Sequence, residues 1–191
     1  MSKTLILLFH PDIGRSKANA TLIDAASAVE GVEIVNMQAL YPCGALDIER
    51  DGATEAARLL SADRIVLQFP VQWYSTPPLL KAWQDTVLTR MYYIANETEG
   101  SRLAGTPLLV AATAGNVPAA YSPAGQNLFP LVDLLRPLEA TAHRCGLPWA
   151  APFLVYGTND LNDFGPADMA TRYAARLRRW IAATLPSRAT A

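Results

Sequence analysis

The sequence contains few cysteines, and their spacing matches no metal site. Among its 191 residues only Cys43 and Cys145 are cysteines. They form neither a CxxC pair nor another spacing typical of metal ligands. A cytosolic chain has little reason to join them in a disulfide, so we expect two free thiols and no bound metal. We also expect Cys145 to pack at the end of a helix.

The sequence lacks an excess of charge of either sign. Its 16 Lys and Arg residues oppose 17 Asp and Glu residues, which leaves a net charge of -1. Such a chain presents no general field for a polyanion, so nucleic acids and anionic membranes are poor candidate partners. The balance favours a small-molecule ligand.

Long apolar runs are missing as well. Leu5 to Phe9, Ile65 to Leu67 and Leu108 to Ala112 are all far shorter than the roughly 20 residues that cross a bilayer. The first residues, Met1 to Thr4, lead directly into a strand pattern and lack the features of a secretory signal. We therefore expect a soluble, cytoplasmic protein, and the length fits a single domain over residues 1–191.

Several common catalytic motifs do not occur. The sequence has no GxxxxGK[ST] phosphate loop and no GxGxxG fingerprint, which disfavours ATP hydrolysis and a standard dinucleotide fold. It has no paired-carboxylate motif and no GxSxG nucleophile elbow. His10 and His143 are its only imidazoles, and we interpret His143 as a surface residue of a helix.

Short strand-like runs alternate with helix-like segments along the chain. Buried strands read as continuous apolar runs, and helices show apolar residues at three- and four-residue intervals. We predict strands over 4–9, 32–36, 64–69, 106–113 and 152–157, helices over 16–29, 54–61, 77–88, 127–145 and 166–185, and a loop over 37–50. This alternation predicts a three-layer α/β fold with a five-stranded parallel sheet, since parallel neighbours need crossover connections.

In such sheets ligands bind outside the carboxyl ends of the strands. Three loops that follow strands should therefore converge, namely 10–19, 70–75 and 114–121. The first loop carries Gly14, hydroxyl and amide groups, and the start of a helix, a combination that favours phosphate. Ser16 and Asn19 are also ordinary capping residues, so phosphate binding and simple capping remain equally open for this loop.

The second loop contains Trp73 and Tyr74 on a backbone stiffened by three prolines. It suits the edge of a flat aromatic ligand, but the loop taken alone slightly favours two rings that only cover the core. In the third loop Gly115 permits close approach to a heteroaromatic edge. Trp83 has helical spacing from Leu79 and Leu80, which favours the core over the site.

Taken together, these segments resemble the NAD(P)H:quinone oxidoreductase family of flavodoxin-like proteins. The matching residues are His10-Pro11, Ser16, Asn19, Phe69-Pro70, Trp73-Tyr74-Ser75, Pro77, Leu80-Lys81, Trp83, Asp85, Val87, Thr113-Ala114-Gly115 and Tyr121-Ser122. The Pro-x-x-Trp-Tyr segment is the most specific part, and the resemblance covers nearly the whole chain. Its nearest branches are bacterial short quinone reductases and ancillary subunits of glutathione-gated potassium efflux systems; animal DT-diaphorase is more distant.

The resemblance implies a flavodoxin-like sandwich with strand order 2-1-3-4-5 and bound FMN, with FAD as an alternative. It places His10, Ser16, Ala18 and Asn19 around the flavin phosphate. One edge of the ring would be held by Pro70, Val71, Gln72, Trp73 and Tyr74, and its other side by Thr113, Ala114, Gly115 and Asn116.

The implied activity is a ping-pong, two-electron reduction of quinones, with NAD(P)H as the hydride donor. Tyr121 would assist hydride transfer as the catalytic residue. Tyr92 and Tyr93 would lie beside the substrate, across the interface of a homodimer, although packing after a helix explains them equally well. Where DT-diaphorase has a histidine, this sequence has Asn127, so the proton relay differs.

Two other functions remain for comparison. A flavin-binding regulatory subunit would act by docking to a potassium efflux transporter. A one-electron carrier is disfavoured, because the nearly neutral charge gives little steering toward redox partners. Neither the choice between FMN and FAD nor that between NADH and NADPH follows from the sequence, and the physiological acceptor does not either.

Overall fold

A parallel sheet forms the centre of the molecule. The computed structural model describes residues 2–160 and 165–184. Its strands are β1 (Thr4–Leu8), β2 (Val32–Asn36), β3 (Arg64–Pro70), β4 (Leu108–Thr113) and β5 (Phe153–Val155). They lie in the order β2-β1-β3-β4-β5, and all neighbouring strands are parallel. The flavodoxin-like α/β fold and its strand order are therefore confirmed.

Helices occupy both faces of the sheet. They are α1 (Lys17–Ser27), α2 (Met37–Leu40), α3 (Arg50–Leu60), α4 (Pro78–Thr89), α5 (Ser101–Leu103), α6 (Arg136–Arg144) and α7 (Pro166–Ala183). Short 3₁₀ turns cover Ile13–Arg15, Pro118–Ala120 and Asp133–Leu135. Two π-helical segments, Arg90–Ile94 and Asn96–Gly100, follow α4. Among the residues described, no helix has the length and apolar character needed to cross a membrane.

The prediction of a continuous loop over 37–50 was wrong in part. The short helix α2 begins there because the Asn36 side chain accepts a hydrogen bond from the Ala39 amide at 3.2 Å. Helix α3 starts at Arg50, four residues before its predicted start, because the Asp47 carboxylate accepts from the Arg50 amide at 2.7 Å. Both are capping interactions of short polar side chains.

The predicted helix over 127–145 begins only at Arg136. Leu128 has a positive φ of 61°, and a helix cannot pass through that conformation. Pro137 stands in the first turn of α6, where its missing amide proton costs nothing. Cys145 is buried at the end of this helix, as expected, and His143 is exposed on it. The predicted end of the last helix, Leu185, lies outside the described residues.

Alternate residues of each strand point into two separate cores. On one face, Leu5, Leu7 and Leu67 pack with residues of α3, α4 and α6. On the other, Ile6 and Val66 pack with α1 and α7. The central strands are apolar on both faces because each face is covered by helices.

Helix α4 is attached to the rest of the apolar layer through a buried carboxylate. Trp83 is 3% exposed, which confirms that it belongs to the core. Its Nε1 donates to Oε2 of the fully buried Glu55 at 3.2 Å, and the Tyr41 hydroxyl donates to Oε1 at 2.9 Å. This arrangement holds the middle of α4, the helix that follows the loop with Trp73 and Tyr74.

Candidate functional site

Four loops meet at the carboxyl edge of the sheet. The three predicted loops lie there, after β1, β3 and β4. The fourth, over 157–160, follows β5. Hydrogen bonds join the Gly157 amide to the Asn116 carbonyl at 2.8 Å and the Thr158 amide to the Ala114 carbonyl at 3.1 Å. The Asn159 amide donates to the Gly115 carbonyl at 3.2 Å.

A polar pocket of about 520 Å³ opens between the first and fourth loops. It brings together six of the predicted residues, His10, Ser16, Ala18, Asn19, Pro70 and Thr113. Six more residues complete its lining: Asp12, Arg15, Lys17, Thr158, Asn159 and Asp160. The residues predicted for a phosphate thus share one cavity.

The start of helix α1 forms one wall of this pocket. Ser16 caps the helix, because its Oγ accepts from the Asn19 amide at 3.2 Å and its carbonyl accepts from the Ala20 amide. The two amides before them, of Lys17 and Ala18, have no acceptor among the described residues, and both residues line the pocket. Free amides at the positive end of a helix stabilise an anion.

His10 adds a neutral donor to the same wall. Its Nδ1 accepts from the Asp12 amide at 3.1 Å, so the proton of the neutral ring resides on Nε2. Burial lowers the pKa of His10, although nearby Asp12 opposes this effect. Arg15 and Lys17 supply positive charge, and Asp12 and Asp160 supply negative charge at the rim.

The loop after β3 ends in a tight turn of unusual composition. Gln72 and Ser75 exchange two backbone hydrogen bonds of 3.0 Å, and between them Trp73 and Tyr74 have φ angles of 45° and 65°. Two successive positive φ angles define a type I′ turn, which normally takes Asn and Gly. Trp73 is 93% exposed and Tyr74 47%, so the alternative that these rings cover the core is wrong.

A second, more open pocket of about 690 Å³ adjoins the first. Val71, Gln72, Trp73, Gly115, Asn116, Tyr121, Asn127 and Asn159 line it. Asn159 lines both pockets, so the two adjoin. Of the remaining predicted residues, Ala114 is buried at 1% exposure, and its amide donates to the Val155 carbonyl at 2.7 Å. Tyr74 lines neither of these two pockets and lies in a separate groove beside α4.

Gly115 is required where the third and fourth loops touch. A Cβ atom at this position would lie 2.5 Å from Oδ1 of Asn159, which is shorter than any stable contact. Any larger residue would therefore displace Asn159 from the junction of the two pockets. The predicted close approach at Gly115 occurs, but the atom that approaches belongs to this chain.

Tyr121 stands at the open pocket with its proton retained. Its ring meets that of Tyr156 edge to face, with centroids 5.6 Å apart. Burial is the main cause that raises the pKa of Tyr121, and Tyr74 and Tyr156 add to it. The Tyr74 hydroxyl donates to Oδ1 of Asn127 at 3.4 Å. The phenol of Tyr121 can therefore donate a hydrogen bond at neutral pH.

Tyr92 and Tyr93 do not line either pocket. They lie in a groove of about 510 Å³ between α4, the first π-helical segment and α6. The Tyr92 hydroxyl donates to the Cys145 carbonyl at 2.8 Å, whereas Tyr93 is 75% exposed with Arg144 6.0 Å from its ring centroid. Val71 lines both the open pocket and this groove, so the two adjoin.

The fourth loop was missed by the sequence prediction. The segment Gly157-Thr158-Asn159-Asp160 directly follows β5, and the rule that ligands bind beyond strand ends applies to this strand as well. Its run of small polar residues was the available signal.

The fold agrees with a comparison to known protein families. A model described as the flavodoxin-like fold matches residues 2–181, and the chain belongs to that family. The chain is 38% identical over 176 residues to the glutathione-regulated potassium-efflux system ancillary protein KefF of Klebsiella pneumoniae, covering 92% of this chain and 95% of that protein. It is also 35% identical over 175 residues to the uncharacterized NAD(P)H oxidoreductase YdeQ of Bacillus subtilis, covering 92% of this chain and 86% of that protein. The chain is therefore a homologue of these ancillary proteins and of that oxidoreductase.

Two solved structures are similar over nearly the full length. General stress protein 14 of Treponema denticola, in complex with FMN, has a TM-score of 0.77 and 31% identity, covering 95% of this chain and 98% of that chain. A protein of P. pentosaceus described as an NADPH-quinone reductase has a TM-score of 0.75 and 27% identity, covering 91% and 96%.

Replacement of Trp73 by Asn and Tyr74 by Gly together should stabilise the ligand-free protein. Both new residues adopt positive φ readily, so the free energy of unfolding should rise by about 1 kcal/mol. Chemical denaturation of the ligand-free protein measures this change. A matched double variant, Trp73→Ala with Tyr74→Ala, removes the same rings but keeps a Cβ atom at each position, and should gain nothing. An equal rise in the free energy of unfolding in both variants would show that the exposed aromatic rings, rather than the positive φ angles, lower the stability of the wild-type protein.

Proposed function

We propose that this protein is a flavin-dependent NAD(P)H oxidoreductase that reduces quinones by two electrons in a ping-pong cycle. The observation that carries this proposal is the pair of adjoining pockets at the sheet edge, a donor-rich polar pocket and an open pocket beside exposed aromatic rings. Such a site suits a ligand with a phosphate at one end and a flat ring at the other. Relatives named for quinone reduction and for bound FMN support it.

The residues present fit a flavin phosphate. The Lys17 and Ala18 amides, the Nε2 proton of His10 and the hydroxyls of Ser16 and Thr113 converge on the polar pocket. We propose FMN rather than FAD, because the related protein of Treponema denticola holds FMN. When bound, the flavin accepts a hydride from NAD(P)H and passes two electrons to the quinone.

The open pocket would hold the ring. Val71, Gln72 and Trp73 would lie at one edge, with Tyr74 beside them, and backbone groups of Gly115 and Asn116 at the other. Tyr121 would donate a hydrogen bond toward the reacting end of the site. The amide of Asn127 does not ionise near neutral pH and so relays no proton; we propose that Tyr121 and water supply protons instead. The groove of Tyr92 and Tyr93 would extend the substrate site.

The test is to purify the protein and supply it with FMN, NADPH and a quinone. We expect a yellow protein whose released flavin has the mass of FMN, and rapid oxidation of NADPH only when the quinone is present. Replacement of Tyr121 by Phe should lower kcat/KM for the quinone by about tenfold, since water replaces the phenol incompletely.

Tyr156→Phe is the matched control for that variant. It keeps the ring that contacts Tyr121 and removes only a neighbouring hydroxyl, so it should leave the rate unchanged. A colourless protein that cannot take up FMN or FAD would refute the proposed activity. Equal rate losses in both variants would refute the role of Tyr121 alone.

We also propose that two copies associate over the groove. Exposed large apolar side chains cluster along the segments that border it: Tyr93, Ile94, Leu128, Phe129 and Val132. Exposed apolar side chains of this size are typical of a protein interface. Sedimentation should show a homodimer, and Tyr93→Glu, which places charge on this surface, should shift it to the monomer. A wild-type monomer at micromolar concentration would contradict this proposal.

A second candidate function follows from the similarity to KefF. Its 38% identity over 92% of the chain supports a flavin-binding cytoplasmic subunit that docks to a potassium efflux transporter. Affinity purification from membranes of the native host should then recover a potassium transporter with the protein. Recovery of the protein in the cytoplasmic fraction alone, with full quinone reductase activity, favours the free enzyme.

A further inference from the structure

A buried chain of side chains runs from helix α7 along one face of the sheet to the polar pocket. It consists of Tyr173 on α7, Gln68 on β3, Asn19 on α1 and Thr113 at the end of β4. Their exposed fractions are 0%, 0%, 1% and 2%. The Tyr173 hydroxyl donates to Oε1 of Gln68 at 3.1 Å, and Asn19 Nδ2 donates to Oγ1 of Thr113 at 3.0 Å. Gln68 Nε2 donates to the carbonyl oxygen and to Oδ1 of Asn19, both at 3.3 Å, and so connects the Tyr173–Gln68 pair to the Asn19–Thr113 pair.

A single backbone carbonyl determines the direction of every bond in this chain. The carbonyl oxygen of Asn19 only accepts, so Gln68 must turn its Nε2 toward it, at 3.3 Å. The same Nε2 lies 3.3 Å from Oδ1 of Asn19. The Nδ2 of Asn19 therefore points away from Gln68, toward Thr113 and Ser16. Oε1 of Gln68 then faces Tyr173, whose hydroxyl must donate. Burial raises the pKa of Tyr173, so this hydroxyl keeps its proton.

The direction of the chain decides what the pocket offers to a ligand. Asn19 Nδ2 donates to Oγ1 of Thr113 and, at 3.5 Å, to Oγ of Ser16, which also accepts from the Asn19 amide. Both hydroxyl oxygens therefore act as acceptors toward Asn19. Their own protons have no acceptor among the described residues, and both residues line the polar pocket. Both hydroxyls can accordingly donate into the pocket.

We propose that Gln68 and Tyr173 are positioning residues that make the polar pocket selective for a phosphomonoester. They do not line the pocket; they orient Asn19, which turns the hydroxyls of Ser16 and Thr113 into donors. A phosphomonoester only accepts hydrogen bonds when fully ionised, so it benefits from both donors. This inference rests on the proposed binding of FMN and adds which buried groups select its phosphate.

The test replaces Tyr173 by Phe and measures binding of FMN and of riboflavin, which has the same ring without the phosphate. Titration of the ligand-free protein by flavin fluorescence gives both dissociation constants. Without the tyrosine proton, Oε1 of Gln68 is buried with no donor, and this unpaired oxygen destabilises the orientation that the Asn19 carbonyl imposes on the amide. We expect the Kd for FMN to rise about tenfold, while that for riboflavin changes less than twofold.

Ile6→Val is the matched control. Ile6 is fully buried in the same core as Tyr173 but has no polar atom in its side chain. It should lower the melting temperature of the ligand-free protein by a few degrees, as Tyr173→Phe should, and leave the preference for FMN over riboflavin unchanged. Gln68→Met, which removes both polar atoms at similar volume, should reduce that preference as Tyr173→Phe does.

The inference is overturned if Tyr173→Phe and Gln68→Met both fold and keep the wild-type preference for FMN over riboflavin. It is also overturned if Ile6→Val loses as much of that preference. A wild-type protein that binds neither flavin refutes the proposed function instead, so the two failures are distinguishable.

Discussion

The parallel pairing of β1, β3 and β4 is the constraint on which the rest of this molecule depends. Leu8 lies beside Gln68, and Pro70 lies beside Thr113, so the three strands end within a short distance of one another. Parallel neighbours require a crossover between them, which returns the chain to the opposite edge each time. All loops that follow strands therefore collect at one edge. The pockets exist because of this pairing.

The two faces of the sheet differ in the polarity of their packing. On the face of α3, α4 and α6 the packing is largely apolar and ends in the groove of Tyr92 and Tyr93. On the face of α1 and α7, the polar side chains of Gln68 and Tyr173 enter an otherwise apolar core. Buried polar groups are tolerated only when fully hydrogen-bonded, and in this chain they also hold the pocket's donors in one orientation.

The site also departs from what local preferences favour. Trp73 and Tyr74 occupy the two positive-φ positions of a type I′ turn, and Trp73 leaves nearly all of its surface in water. At Gly115 the Asn159 side chain leaves no room for a Cβ atom. Strain and exposed aromatic surface both cost stability, and they concentrate at functional sites because a ligand can compensate for them.

The sequence by itself determined the layers, since apolar runs and capping residues are local signals. Its family resemblance, carried most specifically by the Pro-x-x-Trp-Tyr segment, implied the strand order and half of the residues that line the polar pocket. The sequence did not determine where α3 and α6 begin, because the Asp47 cap and the positive φ of Leu128 override periodicity. Only the tertiary structure decided that Tyr92 and Tyr93 lie outside both pockets and that the loop over 157–160 borders the polar pocket. It also decided that Tyr173 connects to Asn19 through Gln68. Those contacts join residues far apart in the chain, and their geometry depends on how the strands pair.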